Sequence, residues 1–151
     1  MLEFYEGRDK PYSLDRVNAD FYDHNPEIDR SIVIYKDSPI GYIQIYPINE
    51  QTSALTEYMS KGNVFGMDQF IGEVHCWNKG IGTLLVTTMV QHLLKEKGAN
   101  KIIMDPQVTN IRALRCYEKA GFKKIRKLLN FEFHEGAYRD CWLLEFNKNN
   151  E

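Results

Sequence analysis

The stretch CWNKGIGTLL, residues 76–85, is where a strand pattern gives way to a helix pattern. Apolar residues recur at three- and four-residue spacing from Ile81 to about Lys97, which predicts an amphipathic helix. Gly80 and Gly82 lie at its start, and because they lack side chains a ligand can approach the backbone closely. A helix N-terminus offers free N–H groups and a positive dipole end, so the stretch suits a phosphate. A plain tight turn before a core helix is the alternative.

The spacing of these glycines separates the stretch from two common nucleotide-binding loops. A P-loop needs the pattern G-x-x-x-x-G-K-S/T, which is absent here. A Rossmann fingerprint needs a third glycine at position 85, where this sequence has leucine. A phosphate held here therefore belongs to a site of another kind, to which Lys79 adds a cation.

Patterns on both sides of the glycines predict a mixed sheet with helices packed on it. Upstream, the predicted elements are a helix that begins near Ser13 and ends at His24-Asn25-Pro26, a hairpin of residues 31–35 and 40–46, and a strand of residues 63–71. Residues 49–62 are polar and ambiguous, with room for a short helix in a long loop. Downstream, they are a strand of residues 101–105, a helix of residues 110–120, and strands of residues 122–129 and 139–146 around a turn at Glu135-Gly136. This order is typical of the α/β (α+β) class with a mixed central sheet.

Composition excludes several classes of protein. The 151 residues suit one domain, and a formal net charge of −2 gives no support for a nucleic-acid partner. No apolar run is long enough for a membrane span, and the N-terminus lacks the layout of a signal peptide. The cysteines and histidines lack metal-ligand spacing, so we expect reduced thiols, no metal and a cytoplasmic location. These residues are Cys76, Cys116, Cys141, His24, His75, His92 and His134.

Residues 110–122 form the second informative motif. An N-cap asparagine is followed by an amphipathic helix that leaves through glycine into a strand. The pattern N-x-x-A-x-x-x-Y-x-x-x-G-F is met at every fixed position, by Asn110, Ala113, Tyr117, Gly121 and Phe122. With the glycine loop before it, in strand–helix–strand–helix–strand order, the sequence resembles the GCN5-related N-acetyltransferases (GNAT). Trp77 departs from the loop pattern of that family, Q/R-x-x-G-x-G/A, at its first position.

Within this family the sequence is most similar to the aminoglycoside 6′-N-acetyltransferases. The similar segments are residues 3–14, 39–46, 66–72, 77–83, 105–106 and 110–122. Those enzymes carry an opening strand and helix ahead of the segment that matches residues 2–5. The resemblance therefore implies one acetyltransferase domain, residues 1–151, that is short at its N-terminus.

The resemblance implies a binding site for acetyl-CoA, with the pyrophosphate on the glycine loop. A backbone N–H near Phe70 or Ile71, where the strand after Asp68 splays away, would polarise the thioester carbonyl. The residues implied in cofactor binding are Phe70, Ile71, Trp77, Asn78, Lys79, Gly80, Ile81, Gly82, Thr83, Asn110, Arg112, Ala113 and Tyr117.

Two residues are candidates for the acid–base chemistry of acetyl transfer to an amine. Alkyl ammonium groups have a pKa near ~10.4, so the acceptor must lose a proton before it attacks. Asp68 lies inside a predicted strand, where aspartate is disfavoured, and by resemblance it binds the acceptor amine and acts as the base. By resemblance Tyr117 protonates the departing thiolate, since phenol and thiol pKa values, about 10 and 8.5, are close. A solvent-facing aspartate and a core tyrosine are the alternatives.

An aminoglycoside is a polycation, so its site should be acidic. Asp105 resembles a substrate-binding aspartate, and Glu135 and Asp140 lie in the last hairpin, where solvated charges are the alternative. The resemblance implies direct transfer in a ternary complex, without a covalent intermediate, to the 6′-amine of an aminoglycoside antibiotic. The alternatives are another amine (a polyamine, a siderophore hydroxylamine or a protein N-terminus) and a non-catalytic acyl-CoA-binding module. We also expect a homodimer to be compatible with this fold.

Overall fold

The structure is a computed structural model that describes residues 3–4, 7–22, 25–50 and 52–148. In chain order its elements are α1 (Leu14–Tyr22), β1 (Asp29–Tyr35), β2 (Ser38–Pro47), β3 (Val64–Ile71), α2 (Ile81–Lys95), β4 (Lys101–Met104), α3 (Ile111–Lys119), β5 (Lys123–His134) and β6 (Ala137–Asn147). Short 3₁₀ turns lie at Thr56–Tyr58 and Val74–Cys76. Within the described ranges no helix is long and apolar enough to cross a membrane.

The strands form a six-stranded mixed sheet in the order β1-β2-β3-β4-β6-β5. Neighbouring strands are antiparallel except β3 and β4, which run parallel. This parallel contact is short, because residues 64–66 pair with residues 101–103 and the pairing stops there. β3 continues beside β2 alone while β4 continues beside β6, so the sheet opens between its two central strands.

One face of the sheet is covered by α2 and α3. The buried apolar cluster between them includes Val86, Val90 and Leu93 of α2, Leu114 and Tyr117 of α3, and Ile102, Met104 and Leu144 of the sheet. Burying an aliphatic side chain of this size contributes about 1.5–3 kcal/mol. Packing in this cluster therefore sets the position of α2 and α3 on the sheet, next to the opening between β3 and β4.

The predicted order of elements is confirmed. The loop of residues 49–62 holds the 3₁₀ turn Thr56–Tyr58, in agreement with the expected short helix. α1 ends at Tyr22, and the predicted stop at His24 lies outside the described residues.

β5 is longer than predicted because it contains a bulge. The sequence predicted an end near Leu129, but the strand runs to His134. The flanking pairs are Leu128 with Cys141 and Glu132 with Arg139. Between these two pairs β5 advances by four residues and β6 by only two. The two extra residues of β5 form the bulge and bend the strand locally. This irregularity depends on the partner strand, so alternation within β5 alone could not show it.

Candidate active site

The opening between β3 and β4 continues into a cavity of about 930 Å³. Strand residues line one side, among them Asp68 of β3 and Asp105 directly after β4. The loop before α2 and the first turns of α3 line the other side. The cavity thus joins the two sequence motifs, and its volume lies in the range of ligand pockets, about 300–1,000 Å³.

The backbone of β3 turns two N–H groups toward this opening. Gly72 N–H donates to the Ile40 carbonyl at 2.8 Å, so even-numbered residues of β3 bond to β2 in the antiparallel register. Gln69 and Ile71 therefore direct their N–H groups to the other side, where β4 no longer pairs with β3. In agreement with this geometry, the Ile71 carbonyl accepts a hydrogen bond from Trp77 Nε1 at 2.8 Å.

This geometry corrects one predicted position. Phe70 occupies an even-numbered position, so its backbone N–H faces β2 and is unavailable to a ligand, although the residue lines the cavity. Of the two residues predicted to polarise a carbonyl, Ile71 has the suitable backbone direction. Gln69, also at an odd-numbered position, has the same backbone direction.

The loop before α2 offers a set of backbone donors. Asn78 and Gly80 have positive φ angles of 57° and 79°, a region that glycine enters without strain. The first helical hydrogen bond runs from Leu84 N–H to the Gly80 carbonyl at 2.9 Å, and no side chain caps the helix at Gly80. The preceding N–H groups, those of Ile81, Gly82 and Thr83, therefore lack helical partners and suit an anion.

Some residues of the predicted loop face away from the cavity. Asn78, Gly80, Gly82 and Thr83 are among the residues that line it. The side chain of Ile81 is buried with Ile40 and Cys76, so only its backbone can meet a ligand. Lys79 is exposed and lies outside the lining. Ile81 thus stays a predicted cofactor-binding residue through its backbone N–H alone.

Trp77 connects the loop to β3 and α3. Its indole Nε1 is bonded to the end of β3, and the Arg112 guanidinium lies 3.7 Å from its ring centroid in a cation–π contact. Both residues line the cavity. The aromatic residue thus holds a cation of α3 beside the backbone donors of α2.

α3 begins as predicted and carries Tyr117 inward. Asn110 Oδ1 accepts from the Ala113 N–H at 3.2 Å, which is the predicted N-cap, and both residues line the cavity. Tyr117 is buried, and its hydroxyl oxygen accepts a hydrogen bond from Gln69 Nε2 at 2.7 Å. Burial raises the pKa of Tyr117, and the nearby charge of Asp68 adds to the effect. The phenol therefore remains protonated at neutral pH.

Asp68 is held by two side chains of β2. Its Oδ2 accepts from Gln44 Nε2 at 2.8 Å, and its Oδ1 accepts from the Tyr46 hydroxyl at 3.3 Å. Gln44 lies directly opposite Asp68 in the register, so all three side chains occupy one face of the sheet. These bonds fix the carboxylate at the cavity wall.

Two further carboxylates lie on the same wall. Burial raises the pKa of Asp105 to about 7, and the charges of Asp68 and Glu132 add to the effect. Sequence reasoning missed Glu132, which follows the β5 bulge and lines the cavity together with Phe131 of the bulge. The available signal was a charged residue inside an F-E-F stretch, residues 131–133.

Glu135 and Asp140, the other predicted substrate contacts, lie outside the cavity lining. Glu135 forms a two-point ion pair with Arg8, at 2.7 Å and 2.8 Å, which lowers the pKa of Glu135 to about 2. Asp140 Oδ1 accepts from the Asn130 N–H at 2.9 Å within the β5 bulge. Both carboxylates hold the protein's own backbone or side chains, so the structure does not support these two predictions, and Glu132 is the acidic residue of this hairpin that lines the cavity.

Comparison with known proteins decides the family. A family model described as an acetyltransferase (GNAT) domain matches residues 2–129. The chain belongs to the GNAT acetyltransferase family. The predicted family and its fold are thereby confirmed.

This GNAT chain matches curated relatives over part of their length. It is 38% identical over 93 residues to an aminoglycoside N(6')-acetyltransferase type 1 of Klebsiella pneumoniae, which is 62% of this chain and 46% of that protein. It is 44% identical over 61 residues to a kanamycin resistance protein of Rhizobium radiobacter, which is 40% of this chain and 56% of that protein. The chain spans about half the length of these relatives.

Among solved structures, the GNAT chain is similar to AAC(6')-Ib in complex with ribostamycin and coenzyme A. The TM-score is 0.78 with 25% sequence identity, and the match covers 98% of this chain and 81% of that chain. The sheet that opens between β3 and β4 is therefore a GNAT sheet.

The cavity of this GNAT domain is lined by positively charged side chains on one side and by carboxylates on the other. α3 contributes the cations Arg112, Arg115 and Lys119 to its lining. The sheet side contributes the carboxylates Asp68, Asp105 and Glu132. One part therefore suits an anionic ligand and the other a cationic one.

Proposed function

We propose that this chain is an N-acetyltransferase that uses acetyl-CoA to acetylate the 6′-amine of aminoglycoside antibiotics, and so confers resistance to them. One observation carries the proposal: a single cavity joins the backbone donors before α2 to the carboxylates Asp68, Asp105 and Glu132. An anionic donor and a polycationic acceptor can thus meet beside β3.

The residues on the α2 and α3 side fit coenzyme A. Its pyrophosphate would be held by the N–H groups of Ile81, Gly82 and Thr83, and Arg112, held over the Trp77 ring, adds a cation to the same cavity. Gly80 and Gly82 line the cavity without side chains, and a Cβ placed at Gly80 would meet no atom within 4 Å. When bound, acetyl-CoA would supply the acetyl group, held as a thioester to CoA.

On the other side, Asp68 takes a proton from the acceptor ammonium, and its bonds to β2 hold the carboxylate toward the cavity. Ile71 N–H is directed into the opening, where it can stabilise negative charge on a carbonyl oxygen. Tyr117 then gives its hydroxyl proton to the leaving thiolate, for which its protonated state is required.

Direct transfer is favoured over a cysteine intermediate. Cys116 lines the cavity, but burial raises the pKa of its thiol, and Thr83 Oγ1 donates a weak hydrogen bond to Cys116 Sγ at 3.6 Å. A protonated thiol is a poor nucleophile. The acetyl group is therefore expected to pass from donor to amine without an acyl-enzyme.

The same carboxylates could hold a polyamine, which makes polyamines the main competing acceptors. Aminoglycosides are preferred because the relatives in the comparison carry that activity or resistance in their names. We place the reaction in the cytoplasm, where the free thiols of Cys76, Cys116 and Cys141 stay reduced. A homodimer stays a prediction. Ile32 and Ile34 are exposed on edge strand β1, which is the proposed place of its interface.

A substrate screen tests the proposal. The purified chain should release CoA thiol with acetyl-CoA and kanamycin, and the product should gain one acetyl group at the 6′-nitrogen. The matched control is an aminoglycoside with a hydroxyl in place of the 6′-amine, which should not be acetylated. Turnover of spermidine with none of any aminoglycoside would reject the acceptor, and acetyl-CoA binding without turnover of any amine would favour a non-catalytic module.

The acceptor KM should depend on pH through Asp105. Its pKa of about 7 means that this carboxyl loses its charge as pH falls through neutrality, so it attracts a polycation above that pH and not below. We expect the KM of the acceptor to rise roughly tenfold from about pH 8 to about pH 6. Initial rates across this range measure it.

Asp105→Asn should remove that pH dependence and leave KM high throughout, because the amide never carries the charge. Asp37→Asn is the matched control: Asp37 lies in the β1–β2 turn with φ of 61°, which asparagine tolerates, and outside the cavity lining. A pH profile unchanged by Asp105→Asn would reject this role.

A further inference from the structure

Adjacent residues of β3 serve the two sides of the proposed chemistry. Successive side chains of a strand point to opposite faces, so Asp68 meets β2 side chains on one face while Gln69 meets α3 on the other. Gln69 carries no motif signal of its own. Its amide lies 2.7 Å from the hydroxyl of Tyr117, the residue proposed to protonate the leaving thiolate.

The direction of this hydrogen bond bears on the chemistry. Gln69 Nε2 donates and the Tyr117 oxygen accepts, so the phenol hydrogen is not used in the bond. Both residues line the cavity. Because the Tyr117 oxygen already accepts a hydrogen bond from Gln69, its own hydrogen can point in fewer directions.

We propose that Gln69 is a positioning residue for Tyr117: its amide N–H occupies the phenol oxygen and turns the phenol hydrogen toward the cavity. The inference rests on the proposed function, in which the Tyr117 O–H bond breaks and an S–H bond forms on the leaving thiolate. The negative charge then stays on the Tyr117 oxygen, where Gln69 N–H stabilises it. Solvent returns the proton before the next turnover.

Packing alone does not explain why residue 69 has a polar amide side chain. Gln69 Oε1 is buried and has no hydrogen-bond partner among the residues that the structure describes. Leaving a buried polar atom unpaired costs about 1–3 kcal/mol. A purely structural side chain of this length at this position would be more stable without that oxygen. The N–H contact with Tyr117 is the benefit that the structure shows for keeping an amide here.

Two substitutions separate these roles. Gln69→Met keeps the length and removes both polar atoms, so kcat should fall about tenfold while the acceptor KM and the Kd of CoA stay unchanged. Its Tm should stay close to that of the wild type, because the loss of the unpaired oxygen offsets the loss of the hydrogen bond to the buried Tyr117 hydroxyl. Gln69→Glu should lower kcat further, since a carboxylate accepts the Tyr117 proton and opposes the phenolate charge. Gln91→Met, on α2 and outside the cavity lining, is the control and should leave kcat unchanged.

A double-mutant cycle provides the decisive measurement. If Gln69 acts through Tyr117, then Gln69→Met should cause no further loss of kcat in the Tyr117→Phe background. Wild-type kcat in Gln69→Met, or losses that multiply in the double variant, would overturn the inference, and so would a lower Tm that accounts for the lost rate. The wild-type screen tests the proposed function separately, because the cycle can be measured with whichever amine is turned over. Absence of turnover with every amine would overturn both.

Discussion

Asp68→Asn should lower kcat by about 100- to 10,000-fold, the usual contribution of a positioned general base. The amide has nearly the shape of the carboxylate and keeps one oxygen that can accept from Gln44 or Tyr46. What it loses is the ability to take a proton from an ammonium group. Because the backbone donors before α2 are untouched, the Kd of CoA should stay unchanged. Initial rates at saturating substrates and calorimetric titration with CoA measure the two quantities.

The pH dependence of this variant separates a base from a mere binding group. Above neutrality, each pH unit raises the unprotonated fraction of an amine with a pKa near ~10.4 about tenfold. Asp68→Asn should therefore recover activity steeply as pH rises, because solvent does more of the deprotonation. Asp37→Asn, the same change outside the cavity, should behave as wild type. Wild-type turnover in Asp68→Asn, or a defect of constant size across pH, would reject Asp68 as the base.

The parts of the fold that sequence could predict depend on local chemistry. Gly80 is needed where φ is 79°, and Asn110 caps the helix three residues ahead of its Ala113 donor. Both signals lie within a few residues of the structure they specify. Apolar periodicity then gives the element order, since each helix must bury one stripe and each strand must follow the pleat. The two motifs could therefore be placed on their elements before the sheet was known.

The acidic part of the site could be predicted only in part, because it depends on pairings between distant segments. Glu135 is next to a turn, where a charge is normally solvated, but Arg8 reaches it from 127 positions away. Glu132 enters the cavity lining through a bulge that depends on how β5 pairs with β6. No spacing within the last hairpin distinguishes these two glutamates. Only the three-dimensional register reveals which of them lines the cavity.

The same limit applies to the partners of the predicted catalytic groups. Asp68 and Tyr117 were found from motifs, but Gln44 and Gln69 were not, since glutamine on a strand has no distinctive pattern. Trp77 shows the converse case. A departure from the family pattern is compatible with the site, because the indole bonds to the Ile71 carbonyl and supports a cation on α3.

Tyr117→Phe should lower kcat about 100-fold, because the leaving thiolate loses its proton donor. The ring stays in the apolar cluster against α2 and the sheet, so the Kd of CoA and the acceptor KM should change little. Stability should fall as well, for a separate reason. Gln69 Nε2 then loses its acceptor, and an unpaired buried donor costs about 1–3 kcal/mol. Rates are therefore compared well below the Tm of both proteins.

A second change should then raise stability without restoring activity. Adding Gln69→Met to Tyr117→Phe removes the stranded donor and the unpaired oxygen together, so the Tm should rise above that of Tyr117→Phe alone. The lost rate should not return, because no proton donor has been restored. Tyr138→Phe, an exposed tyrosine outside the cavity lining, is the matched control and should keep wild-type kcat. If Tyr117→Phe keeps wild-type kcat while its Tm falls, then Tyr117 serves packing, and the proton for the thiolate comes from solvent.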